Sequence, residues 1–264
     1  MRRLGPGALV ALAIIAAWVV IAATGSWLAP HGSGEVVDLD AFNPASRAFP
    51  LGTDYLGRDV LSRVLNAARY TVGIAFVAAA MAMVTGTLFG LAAATGTWLD
   101  IILSRIFDTI LAIPTLMFGL VVVASLGPSI PVLIGTLAVV YTPGAFRTAR
   151  ALAMNVAALD FVTVARARGE RLPHIVVREI LPNVVVPLAA DFGVRFVLVV
   201  LLLSGLSFLG VGVQPPEADL GSLVRENVAG LGFGSLAVLF PALAIASLTV
   251  SVNLLIDSVS AKRR

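Results

Sequence analysis

Residues 160–169 read DFVTVARARG, and residues 180–183 follow with ILPN. This short arginine-bearing segment lies between long uncharged stretches of the chain. A charged loop between two membrane spans has to face water, and its small residues and glycine suit a surface that presses against another protein. The segment therefore predicts a membrane subunit that is driven by a partner and does no chemistry itself.

The composition indicates a polytopic membrane protein. Of the 264 residues, 59% are hydrophobic and 12% are charged, whereas soluble domains carry about twice that charged fraction. The absence of cysteine excludes disulfides, iron–sulfur ligation and thiol nucleophiles. Because Lys262 is the only lysine, the chain cannot contain a GxxxxGK[ST] phosphate-binding loop. If transport needs ATP, a different polypeptide must bind it.

The uncharged stretches predict an all-α fold with six transmembrane helices, since one span needs roughly 20 mostly apolar residues. A Gly-Pro turn at 127–131 divides the stretch 109–146, which is too long for one helix. The predicted spans are 8–28, 70–99, two within 109–146, one within 184–216 and one within 227–256. We interpret the first as an uncleaved helix, because it is too long for the apolar region of a signal peptide.

Arginine placement predicts the orientation. Six arginines lie between residues 147 and 179, so this loop is expected in the cytoplasm, together with a turn at 100–105 and both termini. Residues 29–69 and 210–226 are expected outside. The predicted regions are an amino-terminal helix with an external loop and amphipathic helix (1–69), a five-helix core (70–258) and a short basic cytoplasmic tail (259–264).

Residues 51–65, LGTDYLGRDVLSRVL, predict a short amphipathic helix on the outer membrane surface. Thr53 or Asp54 can cap its amino terminus. Such a helix either leads into the second span or forms an outer gate or a landing surface for a delivery protein. The candidate residues for the second role are Asp54, Gly57, Arg58, Asp59 and Arg63.

The segment 160–169 itself predicts a short helix parallel to the membrane. Asp160 can stabilise its amino end, and Gly169 can end it in a left-handed conformation. Phe161, Val162 and Ala165 form an apolar stripe, which predicts an apolar knob with a basic rim of Arg166 and Arg168. The alternative is a positively charged loop that only fixes the topology.

Three segments, in this order, resemble one family. Residues 51–63 resemble the signature of dipeptide/oligopeptide/nickel permeases of the C type, and residues 160–169 with 180–183 resemble the EAA loop of bacterial ABC-importer permeases. Residues 206–216, LSFLGVGVQPP, are similar to the outer-loop motif of the same family. The resemblance covers most of residues 47–257 and implies a type I ABC importer permease in the bacterial inner membrane.

That resemblance also implies partners and roles. They are a second, homologous permease (B type), one or two ABC ATPases that bind ATP and Mg, and an extracytoplasmic substrate-binding protein; no nucleic acid is implied. The ATPases would drive transport by moving loop 155–175. The implied substrates are di- and oligopeptides, with nickel or another small solute as the alternative. The coupling residues would be Asp160, Phe161, Val162, Ala165, Arg166, Ala167, Arg168 and Gly169.

No cofactor, metal or catalytic residue is expected on this chain itself, since His31 and His174 are predicted on opposite sides of the membrane. A self-sufficient secondary transporter would show paired broken helices and ionisable groups at the midplane. An intramembrane enzyme would need a catalytic constellation. Asp191 and Arg195, four residues apart at the cytoplasmic part of the fifth span, are expected to pair on one helical face, with either a structural role near the interface or one in the substrate path. Gly86, Gly90 and Gly96 predict close helix packing.

Overall fold

The computed structural model describes residues 5–94 and 96–261, and in this part of the chain it is all-helical, without strands. The basic residues Arg2, Arg3 and 262–264, at the two termini that are predicted to be cytoplasmic, lie outside the described residues. The elements are α1 (Pro6–Leu28), α2 (Val60–Ala93), α3 (Thr97–Leu111), α4 (Thr115–Leu126), α5 (Ile130–Ala157), α6 (Asp160–Ala167), α7 (Leu172–His174), a π-helical segment (Ile175–Ile180), α8 (Leu181–Phe208), α9 (Leu220–Asn227), a 3₁₀ segment (Val228–Phe233) and α10 (Leu239–Ala261).

Five helical stretches of the described chain are long and apolar enough to cross a membrane. They are Pro6–Leu28, Val60–Ala93, Ile130–Ala157, Leu172–Phe208 and Leu239–Ser258. A sixth span arises if α3 and α4 are counted together, although the two helices are bent by 84° relative to each other. The predicted all-α, polytopic fold is therefore confirmed, with five continuous candidate spans and a sixth only if the bent pair is one span.

The structure corrects two predicted boundaries. Helix α2 begins at Val60 because Asp59, not Thr53 or Asp54, accepts the backbone N–H groups of Leu61 and Ser62. The predicted surface helix at 51–65 is therefore wrong, since its second half is the first turns of α2. The predicted turn at 100–105 is also wrong, because those residues lie within α3.

Helices α2 and α5 pack with their backbones in close contact. A Cβ atom on Gly86 would lie 2.5 Å from Ala145 Cβ and 2.7 Å from the backbone nitrogen of Phe146. One on Gly90 would lie 2.8 Å from the backbone nitrogen of Arg150. Close packing is confirmed at these two glycines. Gly96 is different, since it precedes α3 as its N-cap.

This contact predicts that Gly86→Ala destabilises the chain. The added methyl group would meet backbone atoms that cannot move aside, and overpacking of this kind costs about 1–3 kcal/mol. Gly73→Ala is the matched control, because Gly73 lies on the same helix with no atom within 4 Å of the added Cβ. We expect a lower thermal unfolding midpoint in detergent for Gly86→Ala alone. Equal midpoints for both variants would contradict the packing argument.

The helices give the bundle two distinct ends. The loop end carries residues 29–59 and 209–238, and there the carboxyl-terminal part of α1 contacts the start of α2 through Gly25 and Leu65. The α6 end carries α6, α7 and the π-helical segment.

Helices α1 and α10 run in opposite directions, α1 toward the loop end and α10 away from it. They are joined by a hydrogen bond in which Trp18 Nε1 donates to Ser247 Oγ at 3.0 Å. Both ends of the described chain therefore lie at the α6 end.

Candidate functional sites at the two ends of the bundle

Helix α6 is fixed to the bundle by two small buried side chains. Val162 and Ala165 have no exposed surface, and they belong to one hydrophobic cluster with Ile175 and Ile180 of the π-helical segment and Ala153 of α5. Two contacts three residues apart set which side of the helix faces inward. Helix α6 is therefore a short rod seated on the ends of two long helices.

The opposite side of α6 is open. Phe161 is 40% exposed and Val164 is 54% exposed, although both are apolar. The prediction that Val162 and Ala165 belong to an exposed knob is wrong, and Val164 was missed. Each exposed residue precedes a buried one by a single position, which turns the side chain by about 100° around a helix with 3.6 residues per turn. The other predicted coupling residues on this helix and its cap, all exposed, are Asp160, Arg166, Ala167 and Arg168.

Gly169 ends α6 as predicted. Its φ of 79° lies in the left-handed region, which favours glycine. Its N–H donates to the carbonyl of Arg166 at 2.9 Å, and the N–H of Glu170 donates to the carbonyl of Ala165 at 3.2 Å. The Glu170 carboxylate then lies 2.8 Å from Arg168 Nη2. The chain can therefore reverse within three residues and start α7.

At the loop end, two arginines and two carboxylates form a buried ion-pair cluster, which we define as Asp54, Arg58, Arg63 and Glu226. Asp54 Oδ2 lies 2.8 Å from Arg58 Nε and 2.7 Å from Arg63 Nη1. Glu226 Oε2 lies 2.9 Å from Arg58 Nη2 and also pairs with Arg63. The cluster joins the segment before α2 to helix α9. Because the cluster contains two positive and two negative side chains, its burial leaves no net charge inside the protein.

The sequence singled out three members of this cluster but not the fourth. Glu226 is separated from them by more than 160 residues, and no local spacing relates it to Arg58 or Arg63. Asp54, Arg58, Asp59 and Arg63 are all at most 5% exposed. Their side chains are therefore not exposed as a landing surface would require, and an outer gate stays a prediction. Gly57 adopts a φ of 70° beside the carbonyl of Asp38.

Asp219 anchors the second loop-end motif to the same helix α9. Its carboxylate accepts hydrogen bonds from Ser207 Oγ at 2.8 Å and from the backbone of Val213 at 3.0 Å. It also caps α9 through the N–H groups of Gly221 and Ser222. Burial raises the pKa of the Asp219 carboxyl, and these four donors act in the opposite direction. Residues 51–63 and 206–216, far apart in the sequence, thus meet on α9.

Charged residues also pair along the membrane-spanning helices. Asp191 and Arg195 of α8 form the predicted pair, with Nε 3.2 Å from Oδ2. Asp108 pairs at 2.6 Å with Arg147 of α5 and not with its neighbour Arg105. Asp100 of α3 likewise pairs with Arg150 of α5. The ion pairs of α3 therefore fasten it to α5.

Comparison with known proteins gives one consistent result. Residues 86–264 match the family model described as binding-protein-dependent transport system inner membrane component. The dipeptide transport system permease protein DppC of Haemophilus influenzae is 33% identical over 258 residues, which cover 95% of this chain and 88% of that protein. DppC of Alkalihalophilus pseudofirmus is 30% identical over 251 residues, covering 95% and 83%. The glutathione transport system permease protein GsiD of Pectobacterium atrosepticum is 31% identical over 241 residues, covering 90% and 80%.

Proposed function

Because this chain belongs to the family of binding-protein-dependent transport system inner membrane components, we propose that it is a permease subunit of an ATP-binding-cassette importer for peptides. Two of its relatives, matched over nearly the whole chain, are named dipeptide permeases, and a third is named a glutathione permease. Glutathione is itself a small peptide. The proposed substrates are therefore di- and oligopeptides.

The observation that carries this proposal is the arrangement of α6. One side of it is seated on α5 and on the π-helical segment that leads into α8, while Phe161 and Val164 are exposed on the other side. An exposed apolar pair with arginines beside it suits a groove in another protein. In the proposed mechanism, closure of partner ATPases moves α6, and its buried side transmits that movement to α5 and α8. The bundle then switches between two discrete arrangements.

The proposed assembly contains a second, homologous permease of the B type, one or two ABC ATPases and an extracytoplasmic substrate-binding protein. ATP and Mg would be bound by the ATPases. The α6 end would face the cytoplasm of a bacterial cell, and the loop end would face outward across the inner membrane. Exposed Arg166 and Arg168 at the α6 end support this orientation. Since both ends of the described chain lie there, both termini would be cytoplasmic.

The test is uptake by the reconstituted assembly. Proteoliposomes that contain this chain, its permease partner and the ATPases receive external binding protein and a radiolabelled dipeptide. We expect accumulation with internal ATP and none with a non-hydrolysable analogue. Uptake by this chain alone under an ion gradient would contradict the proposal. ATP-driven uptake of a nickel chelate but of no peptide would overturn the assigned substrate class.

A further inference from the structure

A charged pair, Asp191 and Arg195, lies deep in the bundle. Arg195 is at the midpoint of α8, and Gly144, which it contacts, is at the midpoint of α5. Each of these helices has 28 residues. A helix of that length is about 42 Å long, whereas the hydrocarbon core is about 30 Å thick. The pair therefore lies well inside the membrane and not near its cytoplasmic side as predicted, and ionisable groups at such a depth are costly and commonly functional.

The guanidinium of Arg195 lies directly on the backbone of α5. A Cβ atom on Gly144 would lie 2.2 Å from Arg195 Nη1, so only glycine leaves room for the guanidinium in this position. Asp191 accepts from Nε at 3.2 Å and from Nη2 at 3.3 Å, and Thr148 Oγ1 accepts from Nη2 at 3.3 Å. The Arg195 guanidinium is therefore fixed between Asp191, Thr148 and the backbone of α5 at Gly144.

The Arg195 guanidinium does not use all of its hydrogen-bond donors within the described residues. Nη1 donates no hydrogen bond within the described residues, and the three bonds of Arg195 are 3.2–3.3 Å long. Charge-assisted bonds are usually about 2.7–2.9 Å long, and the Arg147–Asp108 pair is shorter still at 2.6 Å. The side chains of Arg195 and Asp191 are 13% and 14% exposed, so neither is completely covered by the bundle. A solute that contacts Arg195 would therefore find Nη1 without a competing hydrogen-bond partner among the described residues.

We propose that Arg195 binds the carboxylate of a peptide in transit while Asp191 binds its ammonium group, an inference that rests on the proposed function. A guanidinium offers two parallel N–H donors that match a carboxylate. An extended dipeptide is about 7 Å long, close to the roughly 6 Å between side chains one helical turn apart. Because the ligand carries both charges, it exchanges ion-pair partners with Asp191 and Arg195 and leaves no net charge in the membrane.

The test compares dialanine with its C-terminal amide, which lacks the carboxylate. Proteoliposomes contain the complete importer with internal ATP, and each peptide is supplied at a concentration that saturates the external binding protein, as checked by fluorescence. We expect wild type to transport the free acid faster than the amide. Arg195→Gln should slow free-acid uptake about tenfold or more, the effect of one charged hydrogen bond, and bring it close to the amide rate.

A second variant separates binding from folding. Gly144→Ala keeps both charges but displaces the guanidinium, so we expect a KM for the free acid several-fold above wild type. Gly135→Ala on the same helix is the matched control, because no atom lies within 4 Å of its added Cβ.

The outcomes are distinct. The proposal is overturned if assembled Arg195→Gln importer keeps the wild-type ratio of free-acid to amide uptake. If that variant does not assemble, a KM for Gly144→Ala equal to that for Gly135→Ala overturns it. Failure of the proposed function would show differently, since wild-type importer would then accumulate neither peptide with ATP present.

Discussion

Replacing Phe161 with aspartate is expected to abolish ATP-driven uptake while the chain remains folded. The ring is 40% exposed and does not belong to the hydrophobic cluster that holds Val162 and Ala165, so the substitution leaves that cluster intact. If the ring fills a groove of the ATPase, its loss costs about 2–4 kcal/mol, which is about a 30- to 1,000-fold loss of affinity. The measurements are ATPase capture by the tagged permease and dipeptide uptake in proteoliposomes.

Two further variants sharpen this test. Phe161→Leu keeps an apolar side chain at the contact and is expected to retain most of the uptake. Val162→Asp places a charge in a buried position of the same helix, so we expect it to lower the thermal stability of the permease itself. Wild-type capture of the ATPase by Phe161→Asp would rule out the proposed contact.

Replacing Asp54 with alanine is expected to cause the largest loss of stability. Its carboxylate holds Arg58 and Arg63 and also accepts the backbone N–H groups of Leu56 and Arg58, each at 2.9 Å. Removing one side of a buried ion pair leaves an uncompensated charge and costs about 3–5 kcal/mol. The measurement is the midpoint of thermal unfolding of the purified permease in detergent.

The control is Asp40→Ala, since Asp40 lies in the same loop with an exposed side chain and surface substitutions usually change stability by less than about 0.5 kcal/mol. A double variant, Asp54→Asn with Arg63→Met, removes charges of both signs and should recover part of the loss. Equal midpoints for Asp54→Ala and Asp40→Ala would mean that the ion-pair cluster does not stabilise the loop end.

Local patterns were sufficient for much of this molecule. Apolar stretches of span length predicted the helices that cross the membrane, and the turn at 127–131 separates α4 from α5 as predicted. The left-handed end of α6 at Gly169 followed from the residue type alone. In the break between α3 and α4, the signal that was missed is Pro114, because a proline disfavours helical conformation in the residue before it.

Nonlocal contacts explain what the sequence could not predict. Which side of α6 is buried depends on Ile175 and Ile180, which reach it only after the chain has turned back. Asp108 has Arg105 within one turn of its own helix, yet pairs with Arg147 of α5. Glu226 completes a cluster whose other members lie before and within α2. Each case requires knowing which helices are neighbours in space.

The glycine contacts between α2 and α5 limit how a transport cycle can deform this protein. At Gly86 and Gly90 the two helices meet backbone against backbone, so at these two positions no flexible side chain separates them and sliding is opposed. We therefore expect α2 and α5 to travel as one rigid body. Flexing would then be concentrated in the elbow at residues 112–114 and in the widened helical turn at residues 175–180.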